Sequence, residues 1–252
     1  FFFLALFPQY LAKLPKSGGW LNSVKVTMGF LELGAAMKFI SNTDLVWQWG
    51  IFTREVVLIV WIILSIMMGI YLLGKIKFPH DSDINYISMP RLVLSIVFIS
   101  FGIYLSGGIF GQPIHGLIDS YLPPAKDPLP WIKDFEKGLA KANEENKPLF
   151  IDFTGYTCTN CRWMETNVFV DSNVQSLFNE FVLVQLFTDG GPNFRENQQM
   201  EIDRFSTAAL PFYVVLSPEN IELAQFPGMD SDVNKFIKFL KDALIAHEEN
   251  NI

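Results

Sequence analysis

The stretch LFIDFTGYTCTNC, residues 149–161, decides the fold of the second half of this chain. Its apolar start, Leu149–Phe153, predicts a short buried strand. Gly155–Thr157 then predicts a turn. From Cys158 to about Val168 the pattern favours a helix. The sequence therefore places a pair of cysteines where a strand ends and a helix begins.

Helices and strands alternate on both sides of this stretch. The last helix carries apolar residues at helical spacing and so has one face to bury. An added first helix followed by the order β-α-β-α-β-β-α predicts a thioredoxin-like α/β domain over residues 131–252. The other predicted helices are Trp131–Glu145, Asp171–Phe178, Asn197–Phe205 and Asp230–His247, and the other strands are Phe181–Thr188, Phe212–Leu216 and Ile221–Phe226.

Cys158 and Cys161 are the only cysteines among the 252 residues, and they form a C-x-x-C motif. Such a motif is half of a zinc site, a redox pair or a structural disulfide. A structural zinc site needs four ligands, and the histidines His80, His115 and His247 show no ligand spacing. We therefore predict no metal site and no cofactor. A permanent structural disulfide stays open as the alternative to a redox pair.

The position of the motif favours redox chemistry. The N–H groups and the dipole at the N-terminus of a helix stabilise a thiolate. A thiolate is the species that attacks a disulfide. Cys158 is therefore the predicted nucleophile, and Cys161 is the predicted resolving thiol.

Three further residues are candidates for the same site. Asp152 lies on the strand that leads into the motif, where burial would raise its pKa, and its carboxylate could take a proton from Cys161. Glu165, on the same helix as the cysteines, is a second acidic candidate. Pro211 begins a predicted strand, and we expect a cis peptide bond there. The simpler interpretations are ordinary hydrogen bonds for the aspartate and solvation for the glutamate.

The two halves of the chain differ in charge. Residues 1–126 hold nine Lys and Arg against six Asp and Glu, a net charge of +3. Residues 127–252 hold ten against twenty, a net charge of −10. The first half is apolar and slightly basic, whereas the second is ordinary in polarity and acidic, and this contrast excludes a single soluble globule and a disordered chain. The acidic second half also argues against nucleic acid as a partner.

The first half carries the pattern of a membrane protein. The stretches Val56–Leu73 and Leu92–Gly111 carry no charged residue and are long enough to cross a bilayer, so spans are predicted near 55–74 and 91–112. A third span is predicted near 26–41, although charged side chains interrupt it. Seven apolar residues, Phe1–Phe7, are interpreted as the end of an earlier span. We therefore expect a transmembrane region over residues 1–118, with the lipid bilayer as a partner.

The loops between these spans predict their orientation. By the positive-inside rule, the loops rich in basic residues face the cytoplasm, so everything after residue 112 lies outside it. Residues 119–130 contain four prolines and predict a stiff linker. The fold class is thus multi-domain, an all-α transmembrane region followed by the α/β domain. The basic residues fall three, one and three in successive loops: Lys13, Lys16 and Lys25; Arg54; and Lys75, Lys77 and Arg91.

At this level of detail the chain resembles a known family. Residues 152–162, DFTGYTCTNCR, resemble the active-site segment in the C-terminal domain of DsbD-type thiol:disulfide interchange proteins. The segments LPKSGGWLNSVK at 14–25, GFLEL at 29–33, LLGK at 72–75 and PHD at 79–81 resemble later spans and loops of the family's cytochrome c biogenesis transmembrane region.

The resemblance implies a path for electrons. They would pass from cytoplasmic thioredoxin, through an upstream membrane domain that bears a cysteine pair, to the thioredoxin-like domain in the periplasm. The implied acceptors are periplasmic thioredoxin-like or disulfide-isomerase proteins, including those for cytochrome c maturation. The implied location is the bacterial inner membrane, with several spans. No predicted span here contains a cysteine, so the membrane pair is expected upstream of this sequence.

The resemblance also implies roles for individual residues. Cys158 and Cys161 match the redox pair, Asp152 and Glu165 match acidic residues that tune it, and Pro211 matches a cis-proline that faces it. The expected function is that of a membrane-anchored protein-disulfide reductase. The alternatives are a membrane-tethered oxidase or isomerase, and a binding module with a structural disulfide.

Overall fold

The structure is a computed structural model that describes residues 19–79, 81, 83–84, 86–114, 116–124 and 129–250. The contacts divide the chain into two compact units, residues 1–37 with 58–112 and residues 38–57 with 113–252. Several sequence predictions lie outside the described residues: the apolar stretch Phe1–Phe7, the bases Lys13 and Lys16, and the histidines His80 and His115.

Three long helices make up the described first half: α1 (Gly19–Trp47), α2 (Arg54–Leu72) and α3 (Met89–Ile109). Helices α2 and α3 are long and apolar enough to cross a membrane, with mean hydropathies of 2.4 and 2.1. They cover most of the stretches predicted to be spans two and three. The span predicted near 26–41 lies inside α1, and no other helix in the described residues meets the same criterion. A crossing there stays a prediction.

Small residues bring α2 and α3 close together. A Cβ atom on Gly69 would lie 2.5 Å from Cγ1 of Ile99, and one on Gly102 would lie 2.9 Å from Cγ1 of Ile66. Next to this contact, the hydroxyl of Ser95 donates to the carbonyl of Gly69 at 2.8 Å. Close approach through glycine, with a serine hydroxyl bonded across the interface, is typical of packed membrane helices.

The second unit contains the predicted α/β domain, and its fold class is confirmed. Its sheet has the order β2-β1-β3-β4, with β1 parallel to β2 and antiparallel to β3. The strands are β1 (Leu149–Thr154), β2 (Val182–Phe187), β3 (Phe212–Leu216) and β4 (Glu222–Pro227). The helices are α4 (Leu117–Tyr121), α5 (Phe135–Glu145), α6 (Thr159–Asn167), α7 (Ser172–Phe178), α8 (Phe194–Phe205) and α9 (Val233–Asn250).

The helix predicted from Trp131 begins later than expected. Asp134 is its N-cap, and its side chain accepts a hydrogen bond from the N–H of Lys137 at 2.9 Å. An aspartate cap supplies the acceptor that the first turn lacks, so the helix starts at Phe135. The residue Ile132 instead forms a parallel bridge to Val184 at the edge of the sheet.

The predicted linker is also partly helical. Its first residues belong to α4, which ends just before the prolines begin at Pro123. Arg54 forms an ion pair with the buried Asp119 of this helix, and its guanidinium also donates to the carbonyl of Pro123 at 2.9 Å. The residue before a proline is biased towards extended backbone, and Leu122, just before Pro123, is extended, so the helix ends at Tyr121.

Two apolar cores lie on opposite faces of the sheet. Alternate residues of a strand point to opposite faces, and Phe150 and Tyr213 pack with Met164 of α6 and Phe236 of α9. The neighbouring strand positions pack on the other face, against α5 and α8. Asp152 has the parity of Phe150. Its side chain therefore belongs to the face that α6 covers.

Candidate functional site

The two cysteines lie at the N-terminus of α6. Cys158 is the N-cap residue, and its sulfur accepts a hydrogen bond from the backbone N–H of Cys161 at 3.1 Å. The two residues form a disulfide bond. Cys161 is 1% exposed, whereas Cys158 is only half-buried. A partner can therefore reach the first sulfur but not the second, and a thiolate at Cys158 would keep a backbone donor.

Asp189 holds the turn that precedes the cysteines. It lies two residues beyond the end of β2, and its carboxylate accepts hydrogen bonds from the N–H groups of Tyr156 at 2.7 Å and Thr157 at 2.9 Å. The hydroxyl of Thr157 donates to the same carboxylate at 2.8 Å. A Cβ atom on Gly155 would lie only 2.7 Å from Oδ2 of Asp189. Glycine is needed there because the carboxylate approaches the backbone so closely.

The predicted acidic residues, Asp152 on β1 and Glu165 on α6, meet where this helix packs on the sheet. Asp152 pairs with Gln185 across the parallel strands β1 and β2. The amide Nε2 of Gln185 donates to Oδ2 of Asp152 at 3.1 Å and lies 3.4 Å from Oε1 of Glu165. Asp152 is 1% exposed. One neutral amide therefore connects a strand carboxylate to a carboxylate on the helix that carries the cysteines.

A buried arginine completes this cluster. Arg162 directly follows Cys161, and its Nη2 lies 2.6 Å from Oε1 of Glu165. The same nitrogen donates to the hydroxyl of Thr154 at 3.1 Å. The two ion-paired side chains are only 6% and 14% exposed. Low exposure strengthens their attraction, because solvent screens it less than at the surface.

The charges of this cluster affect the pKa of a tyrosine on the adjacent strand. Tyr213 lies opposite Asp152 in the antiparallel pair of β1 and β3. Burial is the largest cause that raises its pKa well above 10.0, and the charges of Asp152 and Glu165 raise it further, while Arg162 opposes them. The phenol therefore stays protonated at neutral pH.

Pro211 lies at the same end of the sheet as the cysteines. The peptide bond between Leu210 and Pro211 is cis, and the carbonyl of Pro211 accepts from the N–H of Gly228 at 2.9 Å. A Cβ atom on Gly155 would lie 3.1 Å from a methyl carbon of Leu210. The proline loop therefore adjoins the turn before the cysteines.

Tyr156 forms one wall of that turn. Its ring stacks on Phe187 at 3.9 Å between centroids, and its hydroxyl accepts from Nε2 of Gln48 at 3.0 Å. Burial raises the pKa of Tyr156, although the bond from Gln48 and the charge of Arg162 oppose the rise. Tyr156 therefore presents an uncharged aromatic ring in the turn that precedes the cysteines.

The five predicted residues lie on β1, at the start of α6 and along it, and just before β3. Three residues of the cluster, Arg162, Gln185 and Asp189, were not predicted. Spacing could have signalled the arginine, since residues three apart on a helix face each other. Among the described residues, no group of three His, Cys, Asp or Glu side chains could hold a metal ion.

Comparison with known proteins gives relatives over nearly the whole chain. The thiol:disulfide interchange protein DsbD of Pseudoalteromonas atlantica is 26% identical over 252 residues, which cover 94% of this chain and 37% of the relative. DsbD of Campylobacter jejuni is 25% identical over 224 residues, 87% of this chain and 37% of the relative. The chain thus spans little more than a third of the length of these curated relatives. The resemblance predicted from the sequence is confirmed.

The second half alone matches a broader group. A family model described as thioredoxin-like matches residues 130–218. The oxidised DsbD C-terminal domain of Neisseria meningitidis aligns with a TM-score of 0.38 and 18% identity, covering 45% of this chain and 98% of that one. A thioredoxin of Thermus thermophilus aligns with a TM-score of 0.41 and 20% identity, covering 48% and 91%.

Proposed function

We propose that this chain is the C-terminal part of a DsbD-type, membrane-anchored protein-disulfide reductase. One observation carries the proposal: the disulfide-bonded Cys158 and Cys161 lie at the N-terminus of a helix, with the first half-buried and the second buried. A structural disulfide has no need of this asymmetry, whereas thiol exchange requires one sulfur that a partner can reach. The DsbD relatives support the same assignment.

The reaction proceeds through a mixed disulfide. In the reduced protein, the thiolate of Cys158 attacks one sulfur of a partner disulfide, and the other partner sulfur leaves as a thiolate. Cys161 then loses its proton and attacks the sulfur of Cys158, which releases the second partner thiolate. The partner gains two electrons, and the pair of this chain becomes a disulfide. The partner thiolates take up protons to become thiols.

Asp152 accepts the proton that Cys161 loses. Its carboxylate is buried on the face that α6 covers, and a carboxylate out of contact with water binds a proton more readily than one in solution. The backbone N–H of Cys161 stabilises the thiolate at Cys158. The carboxylate of Asp152 thus acts on Cys161, and the backbone N–H of Cys161 acts on Cys158.

The donor is a cysteine-bearing membrane domain upstream, and the acceptors are periplasmic thioredoxin-like or disulfide-isomerase proteins. Helices α2 and α3 support a place in the inner membrane, because they are apolar and most of their span-length windows are exposed, with 39% and 17% buried. Exposed apolar helices of this length are stable in lipid. The charge pattern of the loops supports a periplasmic thioredoxin-like domain.

Trapping the mixed disulfide tests the proposal. The full chain with Cys161→Ala is incubated in membranes, after reduction, with a purified periplasmic protein that carries a thioredoxin-like C-x-x-C disulfide. We expect a covalent adduct that dithiothreitol cleaves by reduction. The matched control, Cys158→Ala, should form no adduct. Absence of an adduct with the Cys161 variant would contradict the proposal.

The reduction potential of the pair then separates a reductase from an oxidant. A value near about −270 mV is typical of thioredoxin, and one near about −120 mV of a strong oxidant. We expect a value close to the first. A value close to the second would favour a membrane-tethered oxidase.

A further inference from the structure

The chain between α1 and α2 reaches the turn that precedes the cysteines. We call residues 46–54 the connecting segment, which belongs to the same compact unit as the thioredoxin-like domain. Nε2 of Gln48 donates to the hydroxyl of Tyr156 at 3.0 Å. Tyr156 lies two residues before Cys158, and its backbone N–H donates to Asp189 at 2.7 Å. The segment therefore contacts the turn that positions the reactive sulfur.

Two glycines after β2 form a seat for this segment. A Cβ atom on Gly190 would lie 3.0 Å from Cγ1 and 3.1 Å from Cα of Val46. One on Gly191 would lie 3.1 Å from Nε2 of Gln48. Packing this close leaves no room for a larger side chain at either position. The loop that holds the cysteine turn through Asp189 thus also receives the connecting segment, through its next two residues.

The far end of the segment is attached to the same domain. Arg54 ion-pairs with the buried Asp119 of α4, and its guanidinium also donates to the carbonyl of Pro123 at 2.9 Å. Helix α4 packs against α6, the helix that carries the cysteines. Once one end of a short segment is bound, the other end binds at a high effective concentration. The segment is therefore held at two points, on the turn before the cysteines and beside their helix.

A protein that exchanges a disulfide with Cys158 has to cover more than the sulfur. A specific interface buries about 800 Å² on each partner, which corresponds to a patch about 16 Å in radius. Tyr156 lies two residues from Cys158, at most about 7 Å along the backbone. A patch centred on the sulfur therefore includes Tyr156 and reaches the segment bonded to it. The partner and the segment cannot both contact this face.

The contact on the turn is weak enough to open. Gln48 is exposed, and its bond to Tyr156 joins two neutral groups. Losing a hydrogen bond of this kind changes an equilibrium about fivefold. A partner that makes several contacts on the same face can therefore displace the segment.

We propose that the connecting segment is an internal competitor for the face on which a protein partner docks, and that it leaves Tyr156 before such a partner reacts. This inference rests on the proposed thiol exchange and adds a selection between partners by size. A small disulfide needs only the half-buried sulfur of Cys158 and reacts while the segment is docked. A protein also needs the surrounding face, so it reacts only with the released form.

Rates of mixed-disulfide formation with a small and a large probe test the inference. The full chain with Cys161→Ala, in which Cys158 is the sole remaining cysteine, is reduced in membranes and mixed with one probe. The small probe is the aromatic disulfide dithiobis(nitrobenzoic acid), and the large one is the oxidised periplasmic C-x-x-C protein of the trapping experiment. With both, the thiolate of Cys158 attacks one sulfur of the disulfide, and the other sulfur leaves as a thiolate.

Gln48→Gly removes the bond to Tyr156, and glycine fits the φ of 56° at this position. We expect it to speed the reaction with the protein about fivefold and to leave the reaction with the small disulfide unchanged. Val46→Ala, which removes the methyl groups that lie against Gly190, should act in the same direction. Ile51→Ala is the matched control, because this side chain of the same segment is 61% exposed, and it should change neither rate.

Three results would overturn the inference. The first is a rate with the protein that neither Gln48→Gly nor Val46→Ala changes. The second is a slower reaction with the protein, which would make the segment part of the partner's binding surface. The third is an equal acceleration with both probes, which would mean that the thiolate itself has become more reactive. Failure of the proposed function is a different result and would overturn the inference as well, because no protein adduct then forms with any of these chains although the small disulfide still reacts.

Discussion

Glu201 makes the stability of the thioredoxin-like domain depend on pH. This residue of α8 is 0% exposed, and within the described part of the chain neither of its carboxylate oxygens has a hydrogen-bond partner. Burial raises the pKa of Glu201 from 4.5 to about 7. The folded protein therefore keeps a proton on this carboxyl over a range in which the unfolded chain has lost it.

The sign follows from the direction of the shift. Below pH 4.5 both states are protonated and the carboxyl has no effect on folding. Between pH 4.5 and about 7 the unfolded state ionises first, so the free energy of unfolding falls by about 1.4 kcal/mol per pH unit. Above that range the loss is complete. It amounts to about 3 kcal/mol, a large share of the stability of an ordinary domain.

Amide hydrogen exchange on the oxidised full chain measures this loss locally. The opening free energies of β1 and β3 are compared at pH 5 and pH 8, after correction for intrinsic exchange rates. Wild type should lose up to about 3 kcal/mol more than Glu201→Gln, which cannot ionise. Glu196→Gln, an exposed position on the same helix, should follow the wild type. If the opening free energies of the Glu201 variant and the wild type changed equally between the two pH values, ionisation of Glu201 would not be linked to folding.

Two further predictions concern the turn and the core. Asp189→Ala removes three hydrogen bonds from the turn before Cys158, and bonds to a charged group are worth about 1.5–3 kcal/mol each. We therefore expect mixed-disulfide formation to be slower in stopped-flow assays. Amide protection in α9 should stay unchanged. Phe150→Ala empties a fully buried position ringed by aromatic side chains and should lower the opening free energy of β1 by about 3–5 kcal/mol, whereas Val170→Ala, at an exposed position, should change it by less than about 0.5 kcal/mol.

Apart from Pro211, the parts of the site that could be predicted lie on one continuous stretch. Asp152, the cysteines and Glu165 fall within fourteen residues, so local strand–turn–helix geometry is enough to bring them together. Pro211 comes from a distant segment. It could be predicted because a proline before an apolar run has few places in a sheet.

Two of the residues that were missed, Gln185 and Asp189, depend on strand register. Gln185 reaches Asp152 only because β2 pairs beside β1 in parallel, residue 185 opposite residue 152. Asp189 reaches the turn because the carboxyl ends of these parallel strands lie at the same edge. The sequence shows only a polar glutamine in an apolar strand and an aspartate after it, and it does not show which residues they reach. Both become functional candidates once the register is known.

Arg162 was missed for a different reason, and that reason bears on how the site is maintained. A lone arginine on a helix predicts a solvated surface residue, since arginine is rarely buried without a partner. Here the partner is Glu165, three residues further on. Replacing a buried ion pair by apolar residues of similar volume often leaves stability unchanged or raises it. A domain with two apolar cores is therefore expected to keep its fold when both members of the pair are replaced together by apolar residues of similar volume, whereas removal of one member alone leaves an uncompensated buried charge and should destabilise it.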